Sequence, residues 1–336
     1  MSYREATEIL CKEFSTSPED ITCIDLLGGE PLSNFDIIPD LCEWIWDKIP
    51  TMQVFIRTNG TLLTQAMKSW FKSHNKLVGL GISVDGTPEN NLFNRGVEHL
   101  DLAFFKENWP DVPAKFTVFP DSVDRLYESI LFLHEKGFNV IGGIAQGVEW
   151  PEKACIELSH QLEKLTEYYS KESSLIPPKP LLSIDFNQAY NPYNVTNPEK
   201  PCWNRDLVHT YDCDFELIPC HMFSSLVQGK EGRKAIIKDY EAITCDLCDD
   251  ECVTCPIRWC CVNCMALNYH LYKDFKKNAN RRLSCKAHKI AAYWSAVLLT
   301  QRAMNGTLDL NDCEVRDGLS NAIKYIKEYD EVKGCD

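Results

Sequence analysis

Five cysteines fall within thirteen residues, at Cys252, Cys255, Cys260, Cys261 and Cys264. Thiols separated by two residues can chelate one metal, and a distant cysteine such as Cys285 can close the site. The spacing is therefore that of an iron-sulfur or a zinc centre. Four cysteines in two such pairs suit zinc equally well; colour separates the two, because iron-sulfur clusters absorb visible light and zinc does not. Cys202 and Cys220 lie upstream, and Cys245 and Cys248 form a further pair that is either ligating or plain thiol. Cys11, Cys23, Cys42, Cys155, Cys313 and Cys335 are isolated and are expected to be inert thiols. Far upstream, Ile24-Asp25-Leu26-Leu27 runs into Gly28-Gly29-Glu30-Pro31. Two glycines permit unusual backbone angles and close ligand approach, and carbonyls converging with a carboxylate there would suit an ammonium group. Alone, such a stretch is an ordinary turn.

Strands alternating with helices are expected to position these residues. Apolar, β-branched runs at 21–27, 53–57, 78–84, 115–119 and 138–144 read as strands, and amphipathic stretches at 35–48, 64–73, 100–108 and 122–136 read as helices. Ser2 and Glu5 form a capping box ahead of a first helix reaching Phe14. The order implies a parallel α/β sheet or barrel, whose site lies at the carboxyl ends of the strands. Gly28 to Pro31, Thr58 to Gly60 and Ser83 to Gly86 each follow directly on a strand. A helix over 152–170 leads to a proline-rich break and a further strand over 181–186. Beyond lie cysteines and turns, then a helix over 286–304 and another near the end. The expected domains are 1–150, a bridging helix and strand over 151–195, and a cysteine-rich domain over 196–336.

The 336 residues carry a formal net charge of −14 and no long basic run, which argues against a nucleic-acid groove or an anionic membrane surface. No apolar stretch approaches the roughly 20 residues that span a bilayer, and residues 1–20 lack the order of a signal peptide. A cytoplasmic location is expected, where seventeen cysteines are better explained by metal ligation than by a disulfide framework.

The stretches Thr58-Asn59-Gly60-Thr61-Leu62-Leu63-Thr64, Ser83-Val84-Asp85-Gly86-Thr87 and Asn94-Arg95 stand in the order and spacing seen in radical SAM enzymes. Together with Gly28 to Pro31, Phe116 to Val123 and Gly137-Phe138, they make residues 1–150 resemble that superfamily. The resemblance implies that Gly28, Gly29, Glu30 and Pro31 hold the amino end of S-adenosylmethionine, and that Thr58, Asn59, Ser83, Asp85 and Arg95 line its ribose and carboxylate region. The cysteine-rich part resembles the SPASM domain, with Cys-Pro-Ile-Arg-x-x-Cys and Asn268-Tyr269 carrying the likeness. It implies two auxiliary [4Fe-4S] clusters, one on Cys202, Cys220 and Cys264 with Cys213 or an open iron site as fourth position, the other on Cys252, Cys255, Cys261 and Cys285. The spacing before Cys264 departs by one residue unless Cys260 takes the place of Cys261.

The resemblance also implies a radical cluster on a CxxxCxxC loop ahead of Gly28, and no such loop occurs in these 336 residues. The literal match at Cys248, Cys252 and Cys255 stands on the wrong side of the barrel. The expected fold is a partial (β/α)6 barrel lacking its first strand, followed by the auxiliary-cluster domain. Three explanations are open: an internal methionine as start, a non-catalytic protein that binds peptide or partner, or another chain supplying the strand and loop. The function implied is S-adenosylmethionine-dependent radical maturation of a ribosomally made peptide, with an electron donor as a further partner and inactivity expected for the chain as it stands. Sulfatase maturation is disfavoured because that branch has Asp after the cysteine equivalent to Cys220, where this chain has His221. His221 is the one catalytic candidate, against a structural histidine.

Overall fold

The computed structural model describes residues 1–16, 18–172, 174–190, 208–241 and 249–333. It divides into two compact units: Met1–Val118 with Glu128–Gly142, and Phe119–Tyr127 with Gly143–Asp336. The sequence readings on Cys202, Cys245, Cys248 and Cys335 lie outside the described residues.

The first unit opens on α1 (Tyr3–Thr16), and its start carries the capping box: Glu5 N donates to Ser2 Oγ while Ser2 N donates to the Glu5 carboxylate. Strands β1 (Cys23–Leu26), β2 (Gln53–Thr58) and β3 (Val78–Ile82) form a parallel sheet in that order. The chain passes between them through α2 (Ile38–Lys48) and α3 (Gln65–Ser73). The helix expected from Phe35 begins instead at Ile38, because Pro31–Ile37 is a 3-10 stretch broken at Asn34. Thr64 Oγ1 accepts from Met67 N and so starts α3 one residue late. After β3 come α4 (Pro88–Arg95), α5 (Leu102–Asn108) and β4 (Ala114–Val118), which meets the end of β3 through a parallel bridge of Ser83 with Lys115. Helix α6 (Leu126–Glu135) and β5 (Val140–Ile144) follow.

The strands present two unlike faces, as a period of two requires. Val54, Ile56 and Thr58 on β2 are 1% exposed or less, and Val78, Leu80 and Ile82 on β3 are equally buried. Each apolar side chain so removed from water contributes roughly 1.5–3 kcal/mol. The rings of Phe35, Phe71 and Trp109 form a chain of edge contacts, and Trp109 Nε1 donates to Val78 O at 2.7 Å, tying α3 and α5 to the sheet. The opposite face carries Asp25, Phe55, Arg57, Gly79, Gly81, Ser83 and Lys115.

In the second unit, α7 (Glu152–Lys171) buries Leu158, Leu162, Leu165 and Tyr169 along one stripe. It packs on α11 (Cys285–Met304), where Trp294 Nε1 donates to Ser159 Oγ at 2.9 Å and Lys286 pairs with Glu152. The expected strand over 181–186 is not formed. Asp185 Oδ1 accepts from Asn187 N and Gln188 N, so the chain turns into helix α8 (Phe186–Tyr190), a local side-chain bond winning over a ladder. Phe186 and Ala189 then join Ile257, Ala292, Ala296, Ala322 and Tyr325 in one core that includes α12 (Cys313–Lys333). A second core gathers Ile218, Phe223, Ile236, Tyr240, Met265, Tyr269 and Phe275 from the short strand at 217–218, α9 (Lys230–Glu241) and α10 (Met265–Tyr272). Among the described residues, no helix is long and apolar enough to cross a membrane.

Gly86, at the turn after β3, has φ +96°, and a Cβ there would lie 2.1 Å from Ser129 Cβ and 2.6 Å from its Cα. Gly86→Ala is therefore both strained and overpacked, and should cost about 3 kcal/mol. A lowered urea midpoint with an unchanged slope would show it; a midpoint equal to that of the parent would refute it.

Candidate functional site

Two carboxylates organise the strand ends of the first unit. Glu30 Oε1 accepts from Thr58 Oγ1 at 2.7 Å and from Leu32 N at 3.1 Å, and Oε2 accepts from Asn59 N at 2.8 Å. It thus straps the end of β1 to the end of β2. Thr58 Oγ1 in turn accepts from Gly60 N, and Asn59 Oδ1 from Thr61 N and Oγ1, which fixes the turn after β2. Gly28 and Gly29 stand clear, with nothing within 4 Å of where a Cβ would be. Pro31 begins the 3-10 stretch that Glu30 caps.

Asp85 is fully buried. Its Oδ1 accepts from Arg95 Nη2 and Thr117 N, both at 2.9 Å, while its backbone is held by Asn90 and Asn91. Among the described residues, Asp85 Oδ2 and Arg95 Nε are buried without a hydrogen-bond partner. Ser83 N donates to Thr58 O at 2.9 Å. Glu30, Thr58 and Asn59 thus form one network, and Asp85 and Arg95 a second. Sequence reasoning passed over three charges beside them. Asp25, Arg57 and Lys115 occupy the sheet face opposite the core: burial raises the Asp25 carboxyl, partly offset by Arg57, and lowers Arg57. Lys115 is lowered by burial first and then by Arg57 and Arg95. Strict alternation in Gln53-Val54-Phe55-Ile56-Arg57-Thr58 was the signal that could have placed Arg57 off the core.

In the second unit, Cys252, Cys255, Cys261 and Cys285 lie near enough to act on one another electrostatically, although no three of them bring their Sγ atoms all within 4.8 Å of one another. Cys261 is influenced electrostatically by Cys285, Cys255 and Cys252, and Cys285 by Cys255. Burial pushes the Cys261 thiol up to about 12. Asn280 Nδ2 points at Cys261 Sγ and Asn278 Nδ2 at Cys252 Sγ, each at 3.6 Å. These asparagines, set by Ser284 Oγ, Asp249 Oδ2 and their own turn, were not read from the sequence. The neighbouring Cys260 donates to Asp185 O at 3.2 Å.

Cys220 and Cys264 pack against the second core. Cys213 is exposed between Asp212 and Asp214, with Sγ 3.6 Å from Ser225 Oγ. Asp212 is buried against Arg233 and accepts from Ser225 N, which anchors this corner. His221 lies exposed in the turn after Cys220. Cys42 and Cys155 are buried, with burial pushing Cys42 to about 12 and raising Cys155, as suits inert thiols; Cys11, Cys23 and Cys313 are exposed.

Residues 4–100 match the profile of a family described as a 4Fe-4S single cluster domain. The cysteines in that stretch are Cys11, Cys23 and Cys42, so the match reports the scaffold around Gly28 to Pro31 and assigns no iron ligand. No curated protein matches the sequence. Among solved structures, native anSMEcpe with bound AdoMet superposes with a TM-score of 0.56 at 14% identity, over 89% of this chain and 88% of the other. The same protein with AdoMet and the Cp18Cys peptide gives 0.52 at 14% identity, over 84% and 85%. Streptococcus suis SuiB bound to precursor peptide SuiA gives 0.55 at 14% identity, over 84% of this chain and 69% of that one. The likeness is one of fold and extends over most of this chain. The fold of this chain is that of the anSMEcpe and SuiB structures, and its residues 4–100 match an iron-sulfur domain profile.

Proposed function

We propose that the chain binds S-adenosylmethionine at the ends of β1 to β4, carries auxiliary iron-sulfur clusters in its cysteine-rich part, and belongs to the machinery that modifies a ribosomally made peptide. The observation that carries this reading is the proximity of Cys252, Cys255, Cys261 and Cys285 beneath two amide donors. Burial raises the Cys261 thiol, and N–H groups aimed at sulfur are the outer contacts that tune a cluster. Cys220 and Cys264, with Cys213, are proposed for the first auxiliary cluster. The AdoMet and peptides held by the structural neighbours support the same assignment of ligands here.

The strand ends fit the proposed cofactor. The space beside Gly28 and Gly29 admits a compact amino-acid head, Glu30 supplies negative charge next to it, and Thr58, Asn59 and Ser83 offer polar groups along the same rim. Arg95 is pinned by Asp85 and supplies the positive charge. S-adenosylmethionine, when bound and reduced, supplies radical hydrogen abstraction, while the protein's part is to orient it and exclude water. No CxxxCxxC stands before Gly28 in these 336 residues, so the chain by itself is proposed to bind the cofactor without cleaving it. The peptide, rather than a sulfatase, is favoured as substrate by His221 standing where the sulfatase-maturing branch has Asp.

Two measurements test this reading. Reconstituted chain should bind S-adenosylmethionine saturably and yield no 5'-deoxyadenosine with a strong reductant; formation of that product would overturn the proposed inactivity, and failure to bind would overturn the cofactor assignment. Cys261→Ala should lose much of the visible absorbance and iron of the reconstituted protein, whereas Cys260→Ala should keep both. Equal loss in the two variants, or a colourless zinc protein, would defeat the ligand assignment.

A further inference from the structure

The sheet face opposite the core is cationic in a chain whose formal net charge is −14. On β2, Phe55 and Arg57 project to this face, and on β3 their register partners are Gly79 and Gly81. A Cβ on Gly79 would lie 2.7 Å from the Phe55 ring, and one on Gly81 would lie 3.1 Å from Arg57 Nη1 and 3.3 Å from its Cζ. The two glycines therefore let the phenyl ring and the guanidinium lie flat across β3, with Arg57 stacked over Phe55 at 5.2 Å. Beyond β3 stands Lys115, whose register partner is Ser83. Residues 81 and 83 share a face, so Arg57 and Lys115 stand on the same side of the sheet.

The charges on this face are only partly balanced, by Asp25. Arg57 Nη1 is buried without a hydrogen-bond partner among the described residues, and a donor left unmet in this way is costly. Asp25 attracts Arg57 from the neighbouring strand, yet no ion pair within 4 Å joins them. The other nearby carboxylate, Asp85, is already held by Arg95 and Thr117. An unpartnered guanidinium N–H with an ammonium on the same sheet face is a donor set that a carboxylate can accept from. A guanidinium offers a planar pair of N–H groups that matches a carboxylate, and an ammonium adds a point charge.

We propose that Arg57 and Lys115, set on the two strands either side of the Gly79–Gly81 stretch of β3, recognise an aspartate or glutamate side chain of the substrate peptide. The inference rests on the reading that this chain handles a peptide, whose unmodified side chains offer no other anion. It adds that the peptide is selected by an acidic residue, seated on the sheet face next to the cofactor rim.

The test uses the full chain, reductively methylated with 13C-formaldehyde so that every lysine keeps its charge. The Lys115 dimethylamino signal is identified by its loss in Lys115→Gln. Two probes, Ac-Gly-Gly-Glu-Gly-Gly-amide and its glutamine counterpart, are titrated in turn. The glutamate peptide should shift the Lys115 signal saturably, and the glutamine peptide should bind about tenfold more weakly or worse. Arg57→Gln should weaken the glutamate peptide by a similar factor, as should Gly81→Val, which displaces the guanidinium. If Gly81→Val does not fold, Arg57→Gln alone decides.

Equal response to the two peptides, no saturable shift, or unimpaired binding by folded Arg57→Gln would each overturn the proposal. So would S-adenosylmethionine alone saturating the Lys115 signal and displacing the glutamate peptide, since the carboxylate recognised would then be the cofactor's own. Calorimetric binding of S-adenosylmethionine to the same sample separates this inference from the one beneath it. Cofactor binding without glutamate selectivity sinks the acidic-residue site alone, whereas glutamate selectivity without cofactor binding sinks the cofactor reading and leaves the site.

Discussion

The open end of the first unit depends on one buried carboxylate. Asp85 has no exposed surface, and a lone charge there would be untenable. It is stabilised by Arg95 from α4 and by the Thr117 amide of β4, so the end of β3, a helix and the next strand are fixed by a single group. Removing one partner of such a pair costs about 3–5 kcal/mol, which makes this joint far stiffer than a surface ion pair. Glu30 does for β1 and β2 what Asp85 does for β3 and β4, but from a half-buried position and with neutral donors. The polar rim is thus built from inside: acids hold the strand ends in register, and what remains of the donors is left for something else.

Arg95 shows the consequence. With Nη2 committed to Asp85 and Nε buried, its orientation is set before any ligand arrives. Preorganisation of this kind lowers the entropy lost on binding. The cysteine-rich part uses a different device, since its thiols are crowded and desolvated and gain nothing from one another. Their geometry comes from a scaffold of asparagines: Asn268 accepts from Ala279 N and donates to Phe275 O, Asn278 and Asn280 follow in the same loop, and each is buried. Amide side chains can satisfy backbone groups on one side and face sulfur on the other, which no apolar residue could do.

The alternation of strands and helices in the first unit was legible because its strands are short, apolar and β-branched, and because Thr64 and the Ser2–Glu5 pair announce helix starts. The motif residues at strand ends were legible as a set. What escaped was governed by the other face of each strand. Arg57 and Lys115 look like ordinary surface charges in one dimension, and only the register with Gly81 and Ser83 brings them to one strip. Leu181-Leu182 reads as strand by composition, yet the Asp185 cap turns it toward α8. Spacing alone gives no sign of the contact that Cys260 Sγ makes with Asp185 O, contributed by a segment 75 residues away.

The two glycines of β3 carry a consequence for the face of the sheet above them. Every other strand of the first sheet projects a side chain onto that face, so the space above it is set almost wholly by what β3 leaves out. A side chain at Gly79 or Gly81 would push aside the Phe55 ring or the Arg57 guanidinium, while Leu80 and Ile82 pack on the opposite face of the same strand. The placement of one ring and one guanidinium is thereby set on residues that alternate with those of the core in one five-residue segment.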